Sequence, residues 1–242
     1  MKIAGDFQVS LAWKERPHRE LPGRVLCHGR CEHERSREYP GVRFERYCDD
    51  VIVHASSERQ ALQLRAAIAR RLAECGLELN EHKTRIVYCK DATRSGSHEH
   101  ERFTFLGYTF RPRIARSKYG GAFVNFLPAI GDDERKRIGR VIRRWRLHRR
   151  SGSTLTDLAK AINAEVRGWT NFYGRFYRSE LVRLLRRINE YLIRWACWKH
   201  KRLRRSPAKA RRFLAAVYRR EPGLFAHWRF GVRPDGWTMG AG

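Results

Sequence analysis

Residues 134–220 constrain this chain most. They carry 27 Lys and Arg against five Asp and Glu, and their apolar residues recur at three- and four-residue spacing. Basic side chains at that density cannot be buried, so each helix must turn its Leu, Ile and Trp inward and its charges to solvent. An all-α bundle with a basic surface follows, with helical patterns over 132–150, 154 to about 171, 179–204 and 207–220. The whole chain, 242 residues with 42% hydrophobic content, carries a formal charge of +27, which implies a polyanionic partner. Trp and Tyr interleave the basic residues and no apolar run approaches a spanning helix, which favours nucleic acid over a membrane.

The front of the chain reads differently. Residues 1–40, broken by Pro17, Pro22, Gly23, Gly29 and Pro40, are expected to be irregular. Cys27, His28, Cys31 and His33 lie there, but their spacing matches no common zinc finger. The six cysteines show no disulfide framework and no leader pattern follows Met1, so the expected location is a reducing cytoplasm.

From Val42 two β-rich arms flank Cys48 and Asp49 and predict a hairpin with acids at its turn. A helix is expected next, with Ser57 and Gln60 as its capping pair, Ala61, Leu64, Ile68 and Leu72 on one face, and Gly76 after its end. Strands are expected at 77–79 and 85–89, and a β-type run at 103–110, where Gly107 suggests a close backbone approach. The predicted class is α+β: an antiparallel sheet followed by the basic helical bundle. The expected divisions are 1–40, 41–128, 129–230 and a tail at 231–242.

Adjacent acids at the rim of a buried sheet suit a divalent cation. Template-directed nucleotidyl transfer uses two metal ions about 4 Å apart, bridged by carboxylates. Asp49 is the natural ligand. Side chains alternate along a strand, so Asp50 takes a weaker or structural part.

Tyr47-Cys48-Asp49-Asp50 resembles the Tyr-x-Asp-Asp box of reverse transcriptases, in which group II intron enzymes usually carry Ala at the Cys48 position. Leu77-Glu-Leu-Asn-Glu-His-Lys-Thr-Arg-Ile resembles the Lys-Thr segment of the same family, and Phe105-Leu-Gly-Tyr-Thr-Phe its primer-grip hairpin. The resemblance, from near Tyr39 to about Arg229, implies the end of a polymerase palm, then a thumb and maturase region. It also implies Mg²⁺ at Asp49 and Asp50, Lys83 as proton donor to pyrophosphate, and Phe105, Leu106, Gly107 and Tyr108 at the primer end. The family's other essential carboxylate lies on an upstream palm strand, and residues 1–38 hold only Asp6 as an Asp. The expectation is therefore a truncated enzyme that polymerises only if a separate fingers and palm fragment joins it.

Arg167-Gly-Trp-Thr-Asn-Phe-Tyr-Gly-Arg-Phe-Tyr resembles the signature of the group II intron maturase-specific domain. That resemblance implies structured intron RNA as partner, with Arg167, Trp169, Asn171 and Tyr173 contributing to its binding. The periodicity itself favours a core over a nucleobase platform for Trp169, Phe172, Tyr173 and Phe176. Gly168 and Gly174 would permit close helix packing. Arg143, Arg144, Arg146, Arg149 and Arg150 on one segment, and Lys199, Lys201, Arg202, Arg204 and Arg205 on another, are the basic faces expected to meet phosphates. Trp145, Trp195, Trp198 and Trp228 suit either stacking or core. The family's Cys-rich DNA-cutting domain is not expected. Two further readings are a non-catalytic RNA-binding splicing factor and an inactive remnant.

Overall fold

The computed structural model describes residues 7–15, 41–48, 50–94, 96–117 and 119–235. They divide into two compact units, Met1–Phe105 with Phe110–Leu127, and Leu106–Thr109 with Pro128–Gly242.

The first unit is built on an antiparallel sheet of β1 (Phe7–Glu15), β2 (Phe44–Tyr47), β3 (Asp50–Ala55), β4 (Leu77–Leu79) and β5 (Arg85–Tyr88), with α1 (Glu58–Glu74) between β3 and β4. The strand order is β2-β3-β1, and the far edge of β1 is shared by β5, along residues 7–10, and β4, along residues 13–15. In the β1–β3 register Val9 pairs with Val53 and Leu11 with Val51. These four side chains are buried with Ala61, Leu64, Ile68 and Leu72 of α1, which gives the helix one apolar stripe against one sheet face. Ser57 is the N-cap of α1 as the sequence predicts, its Oγ accepting the Gln60 N–H at 3.2 Å, but the reciprocal half of the box shifts back one residue, Gln60 Oε1 accepting from Ser56 N–H at 2.6 Å.

The expectation of an irregular start is corrected over Phe7–Glu15, where β1 is the innermost strand of the sheet. The alternation of Phe7, Val9 and Leu11 with Gln8 and Ser10 is its signal, and every Pro and Gly break cited for irregularity lies at residue 17 or beyond. Cys27, His28, Cys31 and His33 lie outside the described residues.

Strands β6 (Phe103–Phe105), β7 (Tyr108–Arg116) and β8 (Ala122–Ile130) form a three-stranded sheet. The helical unit follows, with α2 (Asp132–Arg144), α3 (Leu155–Tyr173), α4 (Arg178–Lys199), α5 (Pro207–Arg220) and the short α6 (Ala226–Arg229). Thr154 and Asp157 form a full capping box on α3, and Ser206 caps α5 with Pro207 in its first turn.

Helix α2 stops six residues before the predicted end at 150. Trp145 stacks on Trp169 with ring centroids 5.4 Å apart, and Leu147, two residues on, is fully buried as well. Two inward residues at that spacing cannot share one helix face. The chain breaks at Arg146, left-handed at φ 48°, and forms a single 3-10 turn at Leu147–Arg149. Helix α4 likewise ends before 204: His200 is extended, its ring set against Trp195 and Phe213 at 5.9 and 5.2 Å.

The expected tail at 231–242 is corrected at its start. Val232 is fully buried, and its carbonyl accepts the Asn189 amide at 3.1 Å. Asn189 Oδ1 in turn accepts from the Trp228 indole at 2.9 Å and meets His227 Nε2 at 2.8 Å. With Asn189 acting as acceptor, the neutral ring carries its proton on Nε2, and buried Nδ1 has no partner.

Burial pushes His227 down to about 3, far below the ordinary imidazole value. Folding therefore demands the neutral ring, while the unfolded chain takes up a proton as pH falls below about 6.5. Stability of the helical unit should fall between pH 7 and pH 5 by up to ~1.4 kcal/mol per unit from this group. His148 and His200, also held low by burial, add to the slope. Denaturant unfolding followed by Trp fluorescence should show the trend, and His227→Gln, which keeps a donor for Asn189, should flatten it.

Candidate nucleic-acid interface

The acidic hairpin forms as its sequence predicts, with Tyr47 opposite Asp50 and Cys48 at the turn in a left-handed conformation, φ 51°. Asp49, the principal metal candidate, lies outside the described residues. Asp50 opens β3, is exposed, and stands in register with Ala12 of β1 on its other side. Neither position paired with it bears a carboxylate. Among the described residues no three His, Cys, Asp or Glu side chains come together as a metal site. Lys83 is exposed in the turn after β4, its N–H held by the Asn80 carbonyl at 3.0 Å.

The turn between β6 and β7 is fixed from within the helical unit. Gly107 adopts φ 75°, and a Cβ there would lie 2.8 Å from Tyr173 Oη and 3.1 Å from Glu134 Cγ. The close approach anticipated at this glycine is thus to α3 and α2. Its carbonyl accepts the Gly131 N–H at 2.8 Å. Tyr108 is buried among the rings of Phe172, Tyr173 and Phe176, and its hydroxyl donates to the Phe172 carbonyl. Tyr173 donates to Glu134 Oε2 at 2.9 Å, and Arg137 donates to the same oxygen at 2.8 Å. The bond from Arg137 holds Glu134 below the usual carboxylate range, while burial and the Glu134 acceptor push Tyr173 up to about 12. The hydroxyl therefore stays a donor at any ordinary pH.

This arrangement corrects two site assignments. Trp169 is 9% exposed and stacked on Trp145, and Tyr173 is 7% exposed and committed to Glu134. Both lie on the buried stripe of α3 with Leu158, Ile162 and Val166, so neither presents a face to a nucleobase. Arg167 and Asn171 occupy the exposed side of the same helix. Gly174 does allow close packing, since a Cβ there would meet the Phe230 ring at 2.6 Å, whereas Gly168 faces open space. Trp145, Trp195 and Trp228 resolve as core, and Trp198, 77% exposed, does not.

The basic surface is built around residues 145–153. At the start of α2 the charges are internally matched: Arg135 pairs with Asp132, Lys136 with Asp133 and Arg137 with Glu134. Beyond them Arg143, Arg144, Arg146, Arg149 and Arg150 are all exposed, and none has a carboxylate partner among the described residues. This segment is fastened to α4. The Trp195 indole donates to the Arg150 carbonyl at 2.9 Å, and Lys199 Nζ donates to the carbonyls of Ser151 and Ser153 at 3.0 and 2.7 Å. His148 stacks on Tyr191 at 5.4 Å. Burial first, then the charges of Arg149, Arg194 and Arg146, keep its imidazole below its ordinary pKa. Lys199 thus serves as a clamp, a structural part that its place in a basic run did not reveal. Lys201, Arg202, Arg204 and Arg205 are exposed beyond it, around a second 3-10 turn at Lys201–Leu203.

An acidic sheet hairpin is followed along the chain by a basic helical bundle. Two family comparisons agree in the same order. The family described as "Reverse transcriptase (RNA-dependent DNA polymerase)" matches residues 25–110, beginning upstream of Tyr39, where the motif resemblance starts. "Group II intron, maturase-specific domain" matches residues 135–213. The chain belongs to the group II intron reverse transcriptase/maturase proteins. A search of curated proteins returns no match.

Two outcomes follow. Gly107→Ala forces a left-handed alanine against Tyr173 and should destabilise the helical unit by about 1–3 kcal/mol, read by denaturant titration, whereas Tyr173→Phe should lose nearer ~1 kcal/mol. Replacing Arg143, Arg144, Arg146, Arg149 and Arg150 together with Gln should leave helicity by circular dichroism intact, because all five are exposed, and should weaken RNA binding by at least tenfold at about 0.1 M salt.

Proposed function

We propose that this protein binds structured intron RNA through the basic surface of its helical unit and assists splicing, with the RNA itself performing the transesterifications. The observation that carries this reading is the run from Arg143 to Arg150: its five guanidiniums have no carboxylate partner among the described residues, and the backbone at its end is fastened to α4 through the carbonyls of residues 150, 151 and 153. Unmatched like charges repel one another, and a bound phosphate backbone relieves that repulsion while releasing counterions. The maturase-specific match over 135–213 supports the same partner.

The finer reading concerns polymerisation. Palm and thumb roles for the sheet and the helices follow from family resemblance. Tyr47-Cys48-Asp49-Asp50 would supply one side of a nucleotidyl-transfer site, and the two positions paired with Asp50, Tyr47 and Ala12, are not carboxylate residues. We propose that RNA-directed DNA synthesis requires a second fragment bearing fingers and a palm strand with its own Asp, and that Mg²⁺ then binds at Asp49. Asp50 would support that site, Lys83 would lie near the triphosphate, and Phe105 to Tyr108 near the primer end.

RNA affinity should fall by roughly 0.7–0.9 log units per log unit of salt for each phosphate neutralised, and an affinity indifferent to salt would overturn the RNA reading. Asp49→Ala should leave that affinity unchanged. The chain alone should give no primer extension on an RNA template with Mg²⁺. Extension should appear with the added fragment and vanish in Asp49→Ala, while extension by the unaided chain would refute the need for a second fragment.

A further inference from the structure

Helix α4 presents Arg187, Tyr191, Arg194 and Trp198 at intervals of four, three and four residues, which places them on one line along the helix. The line spans about 16 Å at the 1.5 Å rise of a helix. Each member but the last is braced. A Cβ at Gly139 would lie 2.8 Å from Arg187 Nη1, so the missing side chain on α2 leaves room for that guanidinium. Tyr191 is stacked by His148, and the Arg194 guanidinium carbon lies 5.6 Å from the Tyr191 ring centroid. Trp198 stands 77% exposed, the largest apolar side chain of α4 left in solvent.

The surroundings limit what can cover it. Within α4 the acids are Glu180, paired with Arg135 and Arg183, and Glu190, paired with Arg211, so no acid on this helix is left over for the line. Lys201 and Arg202 extend the positive charge past its end. A protein interface or a membrane-inserting face needs several clustered apolar side chains, and here one indole stands among guanidiniums. A nucleobase satisfies the indole face while its flanking phosphates satisfy the guanidiniums.

We propose that this line is a track for unpaired RNA nucleotides, with a base stacked on Trp198 and neighbouring phosphates held by Arg194 and Arg187. It rests on the RNA-binding reading above and deepens it by naming the part of the RNA recognised. An exposed indole can stack only on a base whose face is free, so the track suits a splayed loop or bulge and not a fully paired helix.

The test uses the full chain with two RNAs of equal length, a hairpin bearing 2-aminopurine in its loop and a fully paired duplex. Binding should quench the loop fluorophore. Trp198→Ala should abolish the quenching and weaken loop binding by about tenfold or more while leaving duplex affinity unchanged, and Trp198→Phe should retain most of both. Undiminished quenching and loop affinity in Trp198→Ala would overturn the track and leave RNA binding standing, and so would an equal loss for loop and duplex. Failure of the unmodified chain to bind either RNA would instead overturn the underlying RNA reading. If Trp198→Ala spares loop binding but dissociates a dimer in sedimentation, or releases the protein from anionic vesicles, the indole belongs to a protein or lipid contact and the track is refuted.

Discussion

Repulsion among 27 basic residues between positions 134 and 220 is the constraint around which the helical unit is organised. Five acids cannot neutralise it, and one of them, Glu134, is spent with the neighbouring Asp132 and Asp133 on ion pairs in the first turn of α2, where acids also complement the helix dipole. Past that turn the compensation is apolar: fully buried Ile138, Ile142, Leu147, Leu185, Ile188 and Trp195 hold elements whose exposed sides repel. The indole of Trp195 and the ammonium of Lys199 do more than fill space. By donating to carbonyls of residues 150, 151 and 153 they fix the most basic turn of the chain against α4, so its arginines are arranged before any ligand arrives.

The maturase signature acquires a physical meaning from this packing. Trp169 and Tyr173 face the core and form no binding surface, although Phe172 between them is expected as core and is 50% exposed. Trp169 closes a stack with Trp145 at the point where α2 ends, and Tyr173, through Glu134, holds the turn at Gly107. The motif joins three distant parts of the sequence, residues 106–109, 134–145 and 169–174. A change at Trp169 or Tyr173 would thus weaken RNA binding indirectly, by loosening the scaffold under the arginines, and would be misread as a lost contact if only affinity were measured.

Local regularities made much of the fold legible. The hairpin at 44–55, the capped helix with Ala61, Leu64, Ile68 and Leu72 inward and the bounds of α5 depend on alternation, on helical period and on caps, all of which act within a few residues, whereas the single run expected over 103–110 is split by a turn at 106–107. Strand β1 carried the same kind of signal in Phe7, Val9 and Leu11, although its place inside the sheet depends on partners 38 to 48 residues away in β3. The break at Arg146 could not be read locally, because 132–150 is helical by propensity and only the joint burial of Trp145 and Leu147 stops it.

For the candidate site the sequence determined its chemistry: the number and sign of the charges, the acidic hairpin, and the exposed sides on which Arg143, Arg144, Arg167 and Asn171 lie. It could not decide which of seven tryptophans would be buried, since stripe positions at helical spacing serve core and surface alike until a second helix covers one side. Tertiary packing sent Trp145, Trp169, Trp195 and Trp228 inward and left Trp198 outside, turned Lys199 into a clamp, and set Tyr173 beneath Gly107. Composition fixes what a surface must attract, while the assignment of each side chain to contact or core belongs to the long-range packing that chooses which face of every helix is covered.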